Sequence, residues 1–180
     1  MIVGGCVSRI NGTTDLQPLA PDVTLALPDA PVFGSGVEAV QLVQARYQGH
    51  QQMFQSVIRS RDNFFTVLMT VPSGPRIMRI DWTPVSISSK KEAIAPTGLS
   101  PERMLADLML VYAPKDMLRK AIGGAVVVED KPTERKVMKD GRVLVLVTRP
   151  DGDVWNGRAT LTNYAFDYEL KIQSQRVTDE

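Results

Sequence analysis

The segment from Met104 to Tyr112 reads Met-Leu-Ala-Asp-Leu-Met-Leu-Val-Tyr, and it constrains the fold more than any other part of the chain. Met104, Leu105, Leu108, Val111 and Tyr112 recur at spacings of three and four, the repeat of an α-helix. Met109 and Leu110 occupy the intervening positions, so little polar face remains. A helix of this kind is buried on most sides. Ser100 suits its N-cap, Pro101 its first turn, and Pro114 stops it. A second short helix is predicted from Lys115 to Ile122, with Met117, Leu118, Ala121 and Ile122 apolar and Gly123-Gly124 at its end.

The sequence on either side of these helices has a different period. Val37, Ala39, Gln41, Val43, Ala45 and Tyr47 alternate with Glu38, Val40, Leu42, Gln44 and Arg46, the pattern of a strand. Further strands are predicted over 53–58, 63–71, 76–82 and 85–89, with a turn at Pro72-Ser73-Gly74-Pro75. Strands resume over 125–128, 135–139, 142–149, 157–163 and 166–173. Asp140-Gly141 between two of them is a strong hairpin signal. Val143, Val145 and Val147 face one way and Leu144, Leu146 and Thr148 the other, so both faces of that strand should be covered. The reading is mainly β (α+β), a curved antiparallel sheet wrapped around the helical insert.

Composition narrows the function. The 180 residues suit one domain, and the formal net charge of +1 argues against a protein that binds nucleic acid by neutralising phosphates. Cys6 is the lone cysteine and His50 the lone histidine, so no internal disulfide forms and a catalytic triad or zinc helix would hang on one imidazole. Its neighbours Gln51 and Gln52 do not fit such motifs, and no Walker or dinucleotide-binding glycine pattern occurs. An enzyme is disfavoured, and no metal or cofactor is expected. No apolar run reaches the length of a membrane-spanning helix.

Residues 1–36 contain Pro18, Pro21, Pro28 and Pro31, with apolar residues scattered without sustained period. They read as an extended tether, at about 3 Å per residue. Val3-Gly4-Gly5-Cys6 resembles the lipobox of bacterial lipoproteins, whose cysteine carries the acyl chains. That reading places Met1 inside a longer signal peptide, since a signal needs an apolar stretch of about 7–15 residues. The alternative is a free cysteine in a terminal segment. The body is assigned to residues 37–174, and a short tail to 175–180.

A wider resemblance rests on Gly98-Leu99-Ser100-Pro101, Leu105-Ala106-Asp107-Leu108, Val111-Tyr112-Ala113-Pro114 and Leu118. With Arg46-Tyr47-Gln48-Gly49, Asp151-Gly152-Asp153-Val154-Trp155 and Leu161-Thr162-Asn163, this pattern resembles a bacterial lipoprotein family catalogued as domain of unknown function 3261. Ala113 stands where the family pattern has a tryptophan. The family is similar to the outer-membrane lipoprotein carriers of the LolA/LolB type. The resemblance implies an open, incomplete β-barrel with helices packed in its concave face and acyl chains, palmitate among them, in the hollow. It also implies a monomer lipid-anchored at the periplasmic face of the bacterial outer membrane. Its ligand would be an acyl chain, a lipid or a lipoprotein, in lipoprotein, aryl-polyene or fatty-acyl export. The alternative is a non-catalytic assembly factor that docks a partner of a lipid or pigment pathway.

The expected cavity residues are Leu105, Leu108, Met109 and Met117 from the helices, with Phe65, Val67, Met69, Met78, Ile80, Trp82 and Leu146 from the strands. Sequence alone does not separate a hollow interior from a packed one, and a one-residue shift in register reverses every strand assignment. Asp107, four residues after Arg103, is the pointed polar candidate: a head-group anchor at the cavity mouth, a surface residue in a weak helix ion pair, or a buried structural contact to nearby backbone.

Overall fold

The structure, a computed structural model, describes residues 7–10 as backbone and residues 16–177. Cys6, the expected lipidation site, lies outside the described residues. The elements run β1 (Val7–Ile10), β2 (Leu16–Ala20), β3 (Val23–Ala26), β4 (Val37–Tyr47), β5 (His50–Arg61), β6 (Phe64–Thr70), β7 (Arg76–Thr83) and β8 (Ser86–Lys91). Then come α1 (Pro101–Tyr112), α2 (Lys115–Ala121), β9 (Ile122–Gly123), β10 (Val127–Asp130), β11 (Glu134–Lys139), β12 (Arg142–Thr148), β13 (Gly157–Asn163) and β14 (Tyr168–Arg176).

The fold is mainly β. Among the described residues, eleven strands form one antiparallel sheet in the order β1-β8-β7-β6-β5-β4-β14-β13-β12-β11-β10. The sheet does not close into a barrel: β1 and β10 are its two edges. Its two halves, before and after the helices, are joined where β14 pairs with β4, from Tyr168 opposite Tyr47 to Arg176 opposite Ala39. The last strand thus reaches Arg176, which donates to Gly36 O at 2.9 Å, so residues 175 and 176 are paired strand where a tail was expected.

Period-2 patterning is met along most of the sheet. Phe65, Val67 and Met69 of β6 lie in register with Trp82, Ile80 and Met78 of β7, and all six are buried. The Asp140-Gly141 hairpin forms with both residues at positive φ, 50° and 75°, the two-residue turn that matches strand twist. Alternation breaks in β12. The register shifts between Val137 and Met138, so Leu144 packs against the core beside the buried Val145 and Val147. Thr148 is exposed and Leu146 half-buried, so the second face of β12 is not covered as expected.

The largest departure lies at residues 16–36. In place of an extended tether, β2 and β3 form a hairpin, and β9 adds to it as a three-stranded sheet in the order β2-β3-β9. Leu19, Val23 and Leu25 are fully buried, and Leu27, Val32 and Phe33 nearly so. The prolines do not prevent this. Pro18 sits on β2, an edge strand of the small sheet, where a missing N–H costs least. The Phe33 ring lies 4.3 Å from that of Phe65 and meets Trp82 and Trp155 edge-on at 6.0 and 6.1 Å. These residues carry no sustained period because each short run serves a different neighbour.

Helix α1 is buried on all sides from Leu105 to Tyr112. Ser100 Oγ accepts from the Arg103 amide at 3.2 Å, so the cap forms where predicted. Its C-terminus is held from outside. The last turn has no basic residue of its own. Arg135 of β11, only 2% exposed, donates to Leu110 O at 2.9 Å and Ala113 O at 2.8 Å. Arg149 donates to Val111 O at 3.3 Å. Asp130 pairs with both arginines, at 2.8 Å to Arg135 Nη2. Burial opposes the charge on Asp130, but the two guanidiniums hold its carboxyl below the usual carboxylate range. Cations at these carbonyls satisfy orphan acceptors and offset the helix dipole.

Helix α2 ends in the strand β9, not in a glycine cap: Ile122 is extended and its amide donates to Leu118 O. Gly124, at φ 95°, follows the strand.

Candidate functional site

Between α1 and the strands β4, β5, β6 and β14 lies a cavity of about 900 Å³. The alternation of β4 and β14 builds much of its wall. Val43, Ala45, Leu170 and Ile172 point inward but stay half-buried or nearly buried, because they face space rather than a packed neighbour. Phe54, Ile58, Val67 and Met69 continue the wall on β5 and β6, and Met104 and Leu108 close it from α1. Arg46, Tyr47, His50 and Gln52 are exposed at the rim, beside the loop Pro96–Ser100. Lys91 fastens that loop by donating to Leu99 O at 2.9 Å.

Two polar groups interrupt the apolar wall. The first is on the opening turns of α1. Asp107, 8% exposed, accepts at Oδ1 from the Tyr168 hydroxyl at 2.7 Å. Tyr168 in turn accepts from Arg103 Nη2 at 2.6 Å. Arg103 Nε lies 3.6 Å from Asp107 Oδ1, and the guanidinium sits over the Tyr168 ring at 4.7 Å. Its other arm donates to Pro18 O. Burial pushes the Asp107 carboxyl up to about 6, against the lowering effects of Arg103 and of the Tyr168 hydrogen bond. Burial and the neighbouring Asp107 charge raise the Tyr168 phenol.

The second group sits deeper. Gln41 Nε2 donates to Tyr112 Oη at 2.7 Å and to Ser174 Oγ at 3.3 Å. Ser56 Oγ donates to Gln41 Oε1 at 3.4 Å. Tyr112 stacks on Trp155 with centroids 3.9 Å apart, and Ser174 donates to Trp155 O at 2.7 Å. This network ties β4, β5 and β14 to the end of α1, and it holds the cavity floor in shape. Burial raises the Tyr112 phenol.

The family model described as protein of unknown function (DUF3261) matches residues 38–176. The chain belongs to this family. The DUF3261 match takes in both helices and the lining strands β4, β5, β6 and β14 but for Val37, and leaves out the β2–β3 hairpin, whose Pro18 also lines the cavity. No curated protein matches the chain.

Against this frame of DUF3261 residues, the sequence-predicted positions separate into three groups. Val67, Met69, Leu108 and Asp107 line the cavity. Phe65, Met78, Ile80, Trp82, Leu105 and Met109 are buried core instead, away from the cavity wall. The reason at one end is Phe33, which brings the N-terminal segment onto Phe65 and Trp82 and fills the space there. Met117 and Leu146 are corrections. Met117 is 38% exposed, because α2 is short and buries Leu118 alone on its core side. Leu146 alternates with the buried Val145 and Val147 and so points to the opposite face.

Sequence reasoning missed Gln41, Ser56 and Tyr168 as site residues. The signal for Gln41 is a polar residue within the inward set Val37, Ala39, Val43 and Ala45. Tyr168 gives no such signal, since its partners Arg103 and Asp107 are 65 and 61 residues away in sequence. Trp155 is buried against Tyr112, and His50 is an exposed rim residue. Among the described residues no group of three or more His, Cys, Asp or Glu side chains is placed to hold a metal. Among the described residues no helix is long and apolar enough to cross a membrane.

Proposed function

We propose that this protein is a non-catalytic carrier that holds an acylated molecule in the cavity between the sheet and α1. In this reading the unclosed sheet is an incomplete barrel of the LolA/LolB type, with α1 packed in its concave face. Cys6 is the lipid anchor, and the protein works at the periplasmic face of the bacterial outer membrane, in lipoprotein or fatty-acyl export. The observation that carries the reading is the cavity itself. Its volume of about 900 Å³ falls at the upper end of ordinary ligand sites, and its wall is mostly aliphatic and aromatic. Transfer into such a site runs on apolar contact, at about 25 cal/mol per Å² removed from water, and calls for no reacting group.

Native mass spectrometry of the gently purified full chain, with titration of a fluorescent fatty acid, tests this. The expected result is a co-purified or readily loaded acyl species, lost in Leu108→Trp while the circular dichroism spectrum is retained. A protein that neither carries nor takes up any acyl chain rules the reading out.

A second reading, an assembly factor for a lipid or pigment pathway, draws on the outer face of the sheet. There Phe64, 44% exposed, lies near Val57 and Leu68 among Arg59, Arg61 and Arg79, and Leu42 of β4 is 43% exposed. A partner that still co-purifies with the Leu108→Trp variant favours it.

A further inference from the structure

We infer that Arg103 and Asp107 form the head-group end of the cavity and select a neutral hydrogen-bonding head, an amide or hydroxyl on the acyl chain, over a free carboxylate. This rests on the acyl-carrier reading above.

Arg103 and Asp107 are the charged residues of the inner wall, and Arg46, at the rim, pairs with Glu169 at 3.8 Å. The guanidinium and carboxylate of the inner pair lie 3.6 Å apart and compensate one another. At the rim Glu169 is shared between Arg46 and Lys171, but a carboxylate that reaches the inner wall meets no surplus positive charge there. It would instead leave water to stand beside an anionic oxygen, which low-dielectric surroundings make costly.

Hydrogen-bonding capacity points the same way. Asp107 Oδ1 is occupied by Tyr168. Among the described residues no hydrogen bond reaches Oδ2, and Asp107 lines the cavity. An ionised carboxylate only accepts, so a ligand must bring a donor to Oδ2. Arg103 carries five N–H groups and commits one arm to Pro18 O, one to Tyr168 Oη and Nε toward Asp107. Its remaining N–H groups can donate to a ligand carbonyl. One acceptor beside one donor, on the wall of a largely apolar cavity, matches an amide or hydroxyl head. A fatty carboxylate offers acceptors alone.

The test is competition between decanamide and decanoate for a fluorescent acyl probe bound to the full chain at pH 8. Decanamide should displace the probe at about a tenfold lower concentration, the size of one hydrogen bond to a charged group. Asp107→Asn, which keeps shape and removes charge, should bring the two ligands within about threefold. Equal displacement by both ligands on the unaltered protein overturns the inference and leaves the carrier reading standing. An unchanged preference in Asp107→Asn also overturns it. If the probe and both ligands fail to bind, the carrier reading falls and the inference falls with it.

Discussion

The Tyr168 hydroxyl, on the last strand, donates to Asp107 Oδ1, on the helix, at 2.7 Å. The bond joins residues 61 positions apart and fixes the start of α1 against the sheet. It does not fully offset the cost of burying the carboxylate, which stays raised to about 6 from an ordinary 3.8.

The sign of the resulting pH dependence follows from proton binding. A raised carboxyl means the folded state binds the proton more tightly than the unfolded chain. Between pH 4 and pH 6 the Asp107 contribution therefore weakens the fold as pH rises, by on the order of 3 kcal/mol in all. Urea unfolding at several pH values should show this decline in the unaltered protein and its absence in Asp107→Asn. Parallel curves for the two proteins would count against the assignment.

Arg135 predicts a large stability effect far from the cavity. Arg135→Ala leaves Asp130 with one cationic partner and strips two carbonyls at the end of α1. Breaking a buried ion pair from one side costs about 3–5 kcal/mol. Arg135→Lys should recover only part of this, because an ammonium does not span both carbonyls and the carboxylate as the guanidinium fork does. Denaturant midpoints compare the three proteins directly.

Leu25 tests the N-terminal hairpin. It is fully buried, so Leu25→Ala should cost about 2–5 kcal/mol. A solvated tether would show almost no change at this position, and thermal melting separates the two outcomes.

Gly124 tests how that hairpin meets the segment after α2. Its φ is 95°, and a Cβ there would clash with Asp22 O. Gly124→Ala should cost more than the about 1–3 kcal/mol of backbone strain alone. Gly36→Ala, at φ 75° with open space around the added atom, should cost only the strain. The difference between the two melting temperatures reports the contact.

Much of the fold was legible because period 2 and period 3.6 are written locally. The run from Val37 to Tyr47, the Asp140-Gly141 turn and the Ser100 cap each need only their own neighbours. Leu19 to Phe33 was not legible, since its apolar residues serve partners as distant as Trp82 and Trp155. The same limit applies at the site. Leu108 and Asp107 could be named from the helix, but the split between hollow and packed regions depends on where Phe33 lands. Arg135 and Arg149 read as strand charges, because their helix lies more than twenty residues earlier.

The folded N-terminal segment also sets a length. Val7 already pairs with Lys90 on the edge of the large sheet. On the proposed reading, an acyl chain on Cys6 would be attached one residue in sequence before the paired Val7. Under that proposal the β1–β8 edge would ride at the bilayer surface, and exchange of cargo would be limited to neighbours within about the protein's own radius.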